Sequence, residues 1–129
     1  MKPILALDFD GVIHLYRRGW QDGEIYDDMT TGFAVWAIDA NRYWHLVIHS
    51  SRCATEQGRV AIRAWLAKQL SGKLHADEVH GFVDMFDLQA TKPPARLTID
   101  DRALTFNGSW DDYPQEYLLQ FQPWTQRHE

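Results

Sequence analysis

Three short apolar runs punctuate the chain, and each stops at a polar residue. They cover residues 3–9, 44–49 and 96–100. Brief apolar runs of this kind predict buried parallel strands rather than half-exposed antiparallel ones. Pro3 can open the first run but would not suit its middle. Between the runs the apolar spacing becomes helical. Residues 30–42 carry Phe33, Trp36, Ala37 and Ala40, with Thr30 or Thr31 placed to cap the start. Residues 55–70 carry Val60, Ile62, Ala64, Trp65, Leu66 and Leu70, with Thr55 as cap and Gly72 near the stop. Strand, helix, strand, helix, strand is the order of an α/β fold. The remaining segments are less regular. Residues 12–28 hold Gly19, Gly23, Arg17, Arg18, Tyr16, Trp20 and Tyr26, and are expected to form a short hairpin or flap over the strand ends. Residues 71–91 are expected to be a loop with a short strand near Val79–Val83. Residues 113–121 place Tyr113, Tyr117, Leu118 and Phe121 on one helical face. No repeat, low-complexity stretch or linker divides the sequence, so residues 1–129 are expected to form one domain.

In open α/β sheets, functional residues gather beyond the carboxyl ends of the strands. Asp8, Asp10, Ser50, Asp100 and Asp101 all fall at such ends. The pair Asp8 and Asp10 leaves an apolar run and is followed at once by Gly11. Folding alone does not ask for two acids there, because each is desolvated by the core and repelled by its neighbour. A cation, a shared proton or a catalytic task resolves the conflict. A carboxylate can attack phosphorus, and a second acid can protonate the leaving oxygen and later deprotonate water. The plain alternative is a strand-end turn capped by an Asx side chain. Asp100 and Asp101 repeat the oddity at the third strand; with Asp8 they make a hard oxygen site suited to Mg²⁺. Their alternative is a helix N-terminus favoured by acidic residues.

Other residues extend this set. Ser50, Ser51 and Arg52 follow the second strand, where a hydroxyl, backbone N–H groups and a guanidinium can hold phosphate oxygens. A capping turn with a solvated arginine explains them equally well. Lys92, before Pro93-Pro94, draws its weight from position alone. Cys53 reads as a small buried residue; as the one cysteine it excludes an internal disulfide and a cysteine-based zinc site. The six histidines show no metal spacing. His49 reads as a core residue, while His14 closely follows the acidic pair. Trp36 and Trp65 fit helix core faces, leaving Trp20 and Trp110 as contact candidates.

Composition narrows the classes. Apolar residues make up 45% and charged residues 24%, with a net charge of -5. That balance argues against strong nonspecific binding to nucleic acid. No stretch reaches the roughly 18 apolar residues of a membrane span, and the start is too short and acidic for a signal peptide. A cytoplasmic protein without membrane contact is expected.

The motifs together resemble a known family. Asp8-Phe9-Asp10-Gly11-Val12, Ser50 after a strand, Lys92, and Ile99-Asp100-Asp101 are similar, in order, to the four motifs of the haloacid dehalogenase-like (HAD) phosphatases. The resemblance spans residues 4–106. It implies a Rossmann-like three-layer sandwich with a central parallel sheet and Mg²⁺-dependent phosphoryl transfer. It implies Asp8 as nucleophile and Asp10 as general acid/base. It places Mg²⁺ on Asp8, on the backbone carbonyl of Asp10, and on an acid of the Asp100-Asp101 pair. Ser50 would bind the transferring phosphate, and Lys92 would steady its charge. Pro93-Pro94 depart from the pattern, because they disfavour the helix expected between the lysine and the third strand. Trp20 and residues 101–108 also look like a group of small phage and bacterial members. Ser50-Ser51-Arg52 and Asp100-Asp101-Arg102 are similar to the 3'-phosphatase half of bacteriophage polynucleotide kinase; the kinase half, with its phosphate-binding loop, has no counterpart here.

The gaps at 12–29 and 71–91 are too small for a cap domain. A short flap and an open site are expected, accessible to a phosphorylated substrate such as a nucleotide or a nucleic-acid end. A small-metabolite phosphatase and a non-catalytic phosphate-binding module are the alternatives.

Overall fold

A computed structural model describes residues 1–126. Four strands form one parallel sheet: β1 (Ile4–Leu7), β2 (His45–His49), β3 (Phe86–Gln89) and β4 (Leu97–Ile99), in the spatial order β3-β2-β1-β4. The helices are α1 (Phe33–Ala40), α2 (Glu56–Leu70), α3 (Ala76–Asp84) and α4 (Gln115–Leu119). The architecture is α/β and compatible with a Rossmann-like three-layer sandwich. No helix among the described residues is long and apolar enough to cross a membrane.

Strand alternation sends Leu5, Leu7, Leu46, Ile48, Phe86 and Leu88 to one face. There they join Phe33, Ala37 and Ala40 of α1, Ile62, Trp65, Leu66 and Leu70 of α2, and Phe82 and Val83 of α3. The first three helices therefore share one face of the sheet. Ala6 and Val47 point the other way and are also fully buried. The chain steps outward from β1 to β2 to β3, then returns past β1 to β4. Right-handed crossovers put that return over the second face. Residues 90–96, which make it, contain no helix, and Pro93 is buried within them. The reversal creates a switch point between β1 and β4, the crevice where parallel sheets bind ligands.

Several expected elements change. Residues 79–83 belong to α3, not to a strand. Val79, Phe82 and Val83 follow helical spacing, and Glu78 Oε1 accepts from the His75 N–H at 3.1 Å to close the first turn. The strand of this region is instead β3, whose Phe86 and Leu88 alternate with Asp87 and Gln89. At the start of α1, Gly32 occupies the cap position in a left-handed conformation; Thr30 turns away to donate to the Val12 carbonyl at 2.8 Å. Thr55 does cap α2, accepting from the Gly58 N–H at 3.0 Å.

Exposure also departs from expectation. Trp36 is substantially exposed, in contrast to the buried Trp65. β4, an edge strand of the sheet, is exposed throughout. α4 lies inside the expected 113–121 helix, but Tyr117 and Leu118 stay exposed and the Tyr113 hydroxyl bonds to loop backbone at Thr105 and Asn107. Of that face, Tyr113 and Phe121 are half-buried.

Residues 12–28 form the expected flap. His14 and Met29 make an antiparallel bridge at its base. The Leu15 N–H donates to the Asp28 carbonyl, and the Thr30 N–H to the Ile13 carbonyl, each at 2.9 Å. Further out, Arg17 grips Asp27 through two side-chain hydrogen bonds, at 2.6 and 3.1 Å. The Asp27 carboxyl is held far below its ordinary range, chiefly by that guanidinium.

The burial pattern of α2 can be checked by substitution. Ile62→Ala should cost about 2–5 kcal/mol in urea unfolding, as a fully buried side chain leaves a cavity. Val60→Ala, at a position 56% exposed, should stay within about 0.5 kcal/mol.

Candidate metal and phosphate site

The strand ends bring the predicted acids together. β4 pairs with β1 so that Leu7 lies opposite Ile99, and the Asp8 N–H donates to the Ile99 carbonyl at 3.0 Å. Asp8 and the Asp100-Asp101 pair thus leave neighbouring strands at the same level. One carboxylate oxygen from each of Asp8, Asp100 and Asp101 lies within 4.8 Å of the others. Asp100 Oδ1 also accepts from the Arg102 N–H at 2.9 Å. The Asp101 side chain is only 3% exposed, and its Oδ1 has no hydrogen-bond partner among the described residues. A buried carboxylate oxygen without a donor is costly. An all-oxygen set with one unsatisfied member suits a hard divalent cation, and Asp8, Asp100 and Asp101 could hold one.

Gly11 makes this packing possible. Its φ is +85°, and a Cβ there would lie 2.2 Å from Asp101 Oδ2. A side chain at position 11 would be strained and would displace the Asp101 carboxylate.

Without a cation, ionisation of two of these acids is disfavoured. Burial raises the Asp8 carboxyl to about 7, reinforced by the charges of Asp100 and Asp101. Burial also raises Asp101. Two carboxyls this close cannot both ionise freely at neutral pH.

Asp10 lies in the opposite regime. Burial alone would raise its carboxyl, but His14 and Arg52 outweigh that and hold it below the usual range. Asp10 Oδ1 contacts His14 Nδ1 at 2.9 Å, and Oδ2 accepts from Arg52 Nε at 2.9 Å. Its side chain therefore stands apart from the Asp8, Asp100 and Asp101 cluster; only its backbone carbonyl remains for the predicted metal contact.

Arg52 is 5% exposed. Its guanidinium carbon lies 4.9 Å from the centre of the Trp20 ring and 5.9 Å from that of Phe9. Nη1 donates to the Gly23 carbonyl at 2.6 Å, while Nη2 is buried with no partner among the described residues. The arginine is neither solvated nor idle; it joins the flap to Asp10 and keeps one donor unspent. Ser50 Oγ accepts from the Arg52 N–H at 3.2 Å, so the hydroxyl proton remains available to an anion. A cleft of about 450 Å³ opens beside Trp20, Gly23, Ser51, Arg52 and Thr55. A larger one, about 580 Å³, lies between the flap base and the end of α2, away from the acids.

Lys92 lies beyond β3, exposed, and its side chain forms no hydrogen bond or ion pair with the described residues. Cys53 is buried, with burial raising its thiol, as befits a packing residue. His49 is satisfied, its Nε2 lying 3.2 Å from the Ala90 carbonyl oxygen. Among the tryptophans, Trp20 reaches the site, but Trp110 instead packs with Phe106 and Tyr113. Trp124 was missed: its Nε1 donates to the Gly11 carbonyl at 2.6 Å, across most of the chain length. His14, Asp27 and Trp65 were also missed as a group. Only the position of His14 after the acidic pair hinted at it.

Comparison with protein-family models, with curated proteins and with solved structures gives no match. The chemistry of the site rests on its own geometry.

The Asp8 shift has a defined consequence for stability. A raised pKa means that the folded state binds the proton more tightly than the unfolded chain does. Asp8 therefore favours folding at low pH, and this contribution is lost as pH rises from about 4 through about 7. Asp8→Asn removes the titration. In metal-free buffer at pH 8 the variant should exceed wild type by about 1–3 kcal/mol, a figure discounted for the partial exposure of Asp8. The gap should close below pH 4, as read by urea unfolding across pH.

Proposed function

We propose that the protein is a Mg²⁺-dependent phosphomonoester hydrolase that works through an aspartyl-phosphate on Asp8. The observation that carries this reading is the convergence of Asp8, Asp100 and Asp101 at the switch point, beside a separately held Asp10. A Mg²⁺ ion held by the three acids and the Asp10 carbonyl would offset the negative charge of the phosphate.

In this reading an Asp8 oxygen attacks phosphorus while the bond from phosphorus to the leaving oxygen breaks. Asp10 gives that oxygen its proton. A water then gives a proton to Asp10 and attacks the same phosphorus; the bond to Asp8 breaks, and inorganic phosphate leaves. Asp10 must first acquire the proton it donates, and its resting partners disfavour that. An incoming phosphate resolves the difficulty by competing for Arg52. The unpaired Nη2 offers the first contact, and withdrawal of Nε from Asp10 weakens one interaction that keeps it ionised. The Ser50 hydroxyl would donate to another phosphate oxygen. Lys92 would act only by swinging in from its exposed position.

In this reading the flap also bears on substrate class. Its Trp20, 59% exposed, stacks beside Arg52. An exposed indole next to a phosphate-binding arginine suits a nucleotide or a nucleic-acid end, whose base can stack on it.

Phosphate release with Mg²⁺ should fall at least about 10³-fold in Asp8→Asn, since the nucleophile is removed. Turnover of a 3'-phosphorylated oligonucleotide should exceed that of sugar phosphates and 5'-nucleotides. Equal or poorer turnover of the oligonucleotide would favour a small-metabolite phosphatase. A wild type inactive on every substrate, aryl phosphates included, would leave only phosphate binding.

A further inference from the structure

We propose that His14 is a positioning residue that holds Asp10 in place for proton transfer and ties it to the returning arm of the flap. The inference rests on the phosphatase reading, in which Asp10 is the proton carrier.

His14 is fully buried. Its Nε2 lies 3.0 Å from the Asp27 backbone nitrogen, whose N–H can only donate. Nε2 must therefore accept and carries no proton. In the neutral ring the one proton then sits on Nδ1, which donates to Asp10 Oδ1 at 2.9 Å. The tautomer is thus set by the flap backbone, and the ring presents a donor to the acid.

The ring has little freedom to turn. Phe9 stacks at 5.5 Å, and Tyr26, Trp65 and Tyr16 meet it edgewise at 5.2, 5.5 and 5.7 Å. Asp27 is fixed from its other side as well, because Trp65 Nε1 donates to its carbonyl at 3.0 Å. Arg17 holds the Asp27 carboxylate. Asp27 is thus anchored through its N–H, its carbonyl and its side chain, and His14 transmits that position to Asp10. When a phosphate draws Arg52 away, His14 is the side-chain partner that still holds Asp10 among the described residues.

Two amide substitutions separate the two hydrogen bonds. The Asn side-chain nitrogen sits where Nδ1 does, so His14→Asn keeps the donor to Asp10 and gives up the acceptor for Asp27. His14→Gln places its amide at the level of Nε2, keeping the flap contact and losing the donor. Steady-state kinetics with Mg²⁺ and an aryl phosphate, beside urea unfolding, read both. His14→Gln should lower kcat by about 10²-fold with KM within about threefold, the scale of a misplaced catalytic group. His14→Asn should lower kcat by less than about tenfold even where it is the less stable of the two. Equal losses, or losses that track stability, would make His14 merely structural and overturn the role. An inactive wild type would overturn the phosphatase reading instead, and this role with it. Should neither variant fold, the ring ¹⁵N signals of the wild type decide: an unprotonated Nε2 supports the assignment, and a protonated one rejects it.

Discussion

The structure depends on a conflict of like charges held at one point of a parallel sheet. β1 and β4 run side by side with Leu7 opposite Ile99, so the acids that follow them have no room to separate. Asp8, Asp100 and Asp101 converge there; burial and the neighbouring charges oppose ionisation of Asp8, and burial opposes that of Asp101. The core fixes the strands and so enforces the conflict; Gly11 lets Asp101 approach where any side chain would block it. Protons or a cation must relieve the strain, and the donor set, all oxygen with one unpartnered atom, is suited to a cation.

Two residues after Asp8, Asp10 experiences the reverse. His14 and Arg52 surround it with donors, and it stays ionised despite burial. Two carboxyls at one strand end are thus shifted in opposite directions by their surroundings. The flap is part of that separation. It supplies Gly23 to hold Arg52, Trp20 to stack on it, and the Asp27 backbone to orient His14. A short loop therefore contributes to the electrostatics of the site as well as to its cover.

What could be read in advance follows the range of the forces involved. β1, β2 and β4 were legible because apolar runs ending at polar residues are local patterns. α2 was legible from Thr55, Gly72 and the spacing of Ile62, Trp65 and Leu66. Residues 71–91 were misread because Val79–Val83 is short and apolar, and periodicity over so few positions separates helix from strand poorly. The surplus exposure of Trp36, β4 and the tail was invisible for another reason. Amphipathic spacing reports which side could be buried, not whether another element arrives to bury it. Pro93-Pro94 did signal the missing helix before β4.

The sequence by itself determined the α/β order, the two acidic pairs and their place at strand ends, because each depends on neighbours along the chain. It also marked Ser50 and Arg52 as residues that enter the site from β2. Only the tertiary structure decided the partners. It set Arg52 on Asp10, left Lys92 without a partner among the described residues, brought Trp124 to Gly11, and placed His14 between Asp10 and Asp27. Those choices depend on the directions of individual hydrogen bonds between segments far apart in the chain, which no local pattern encodes.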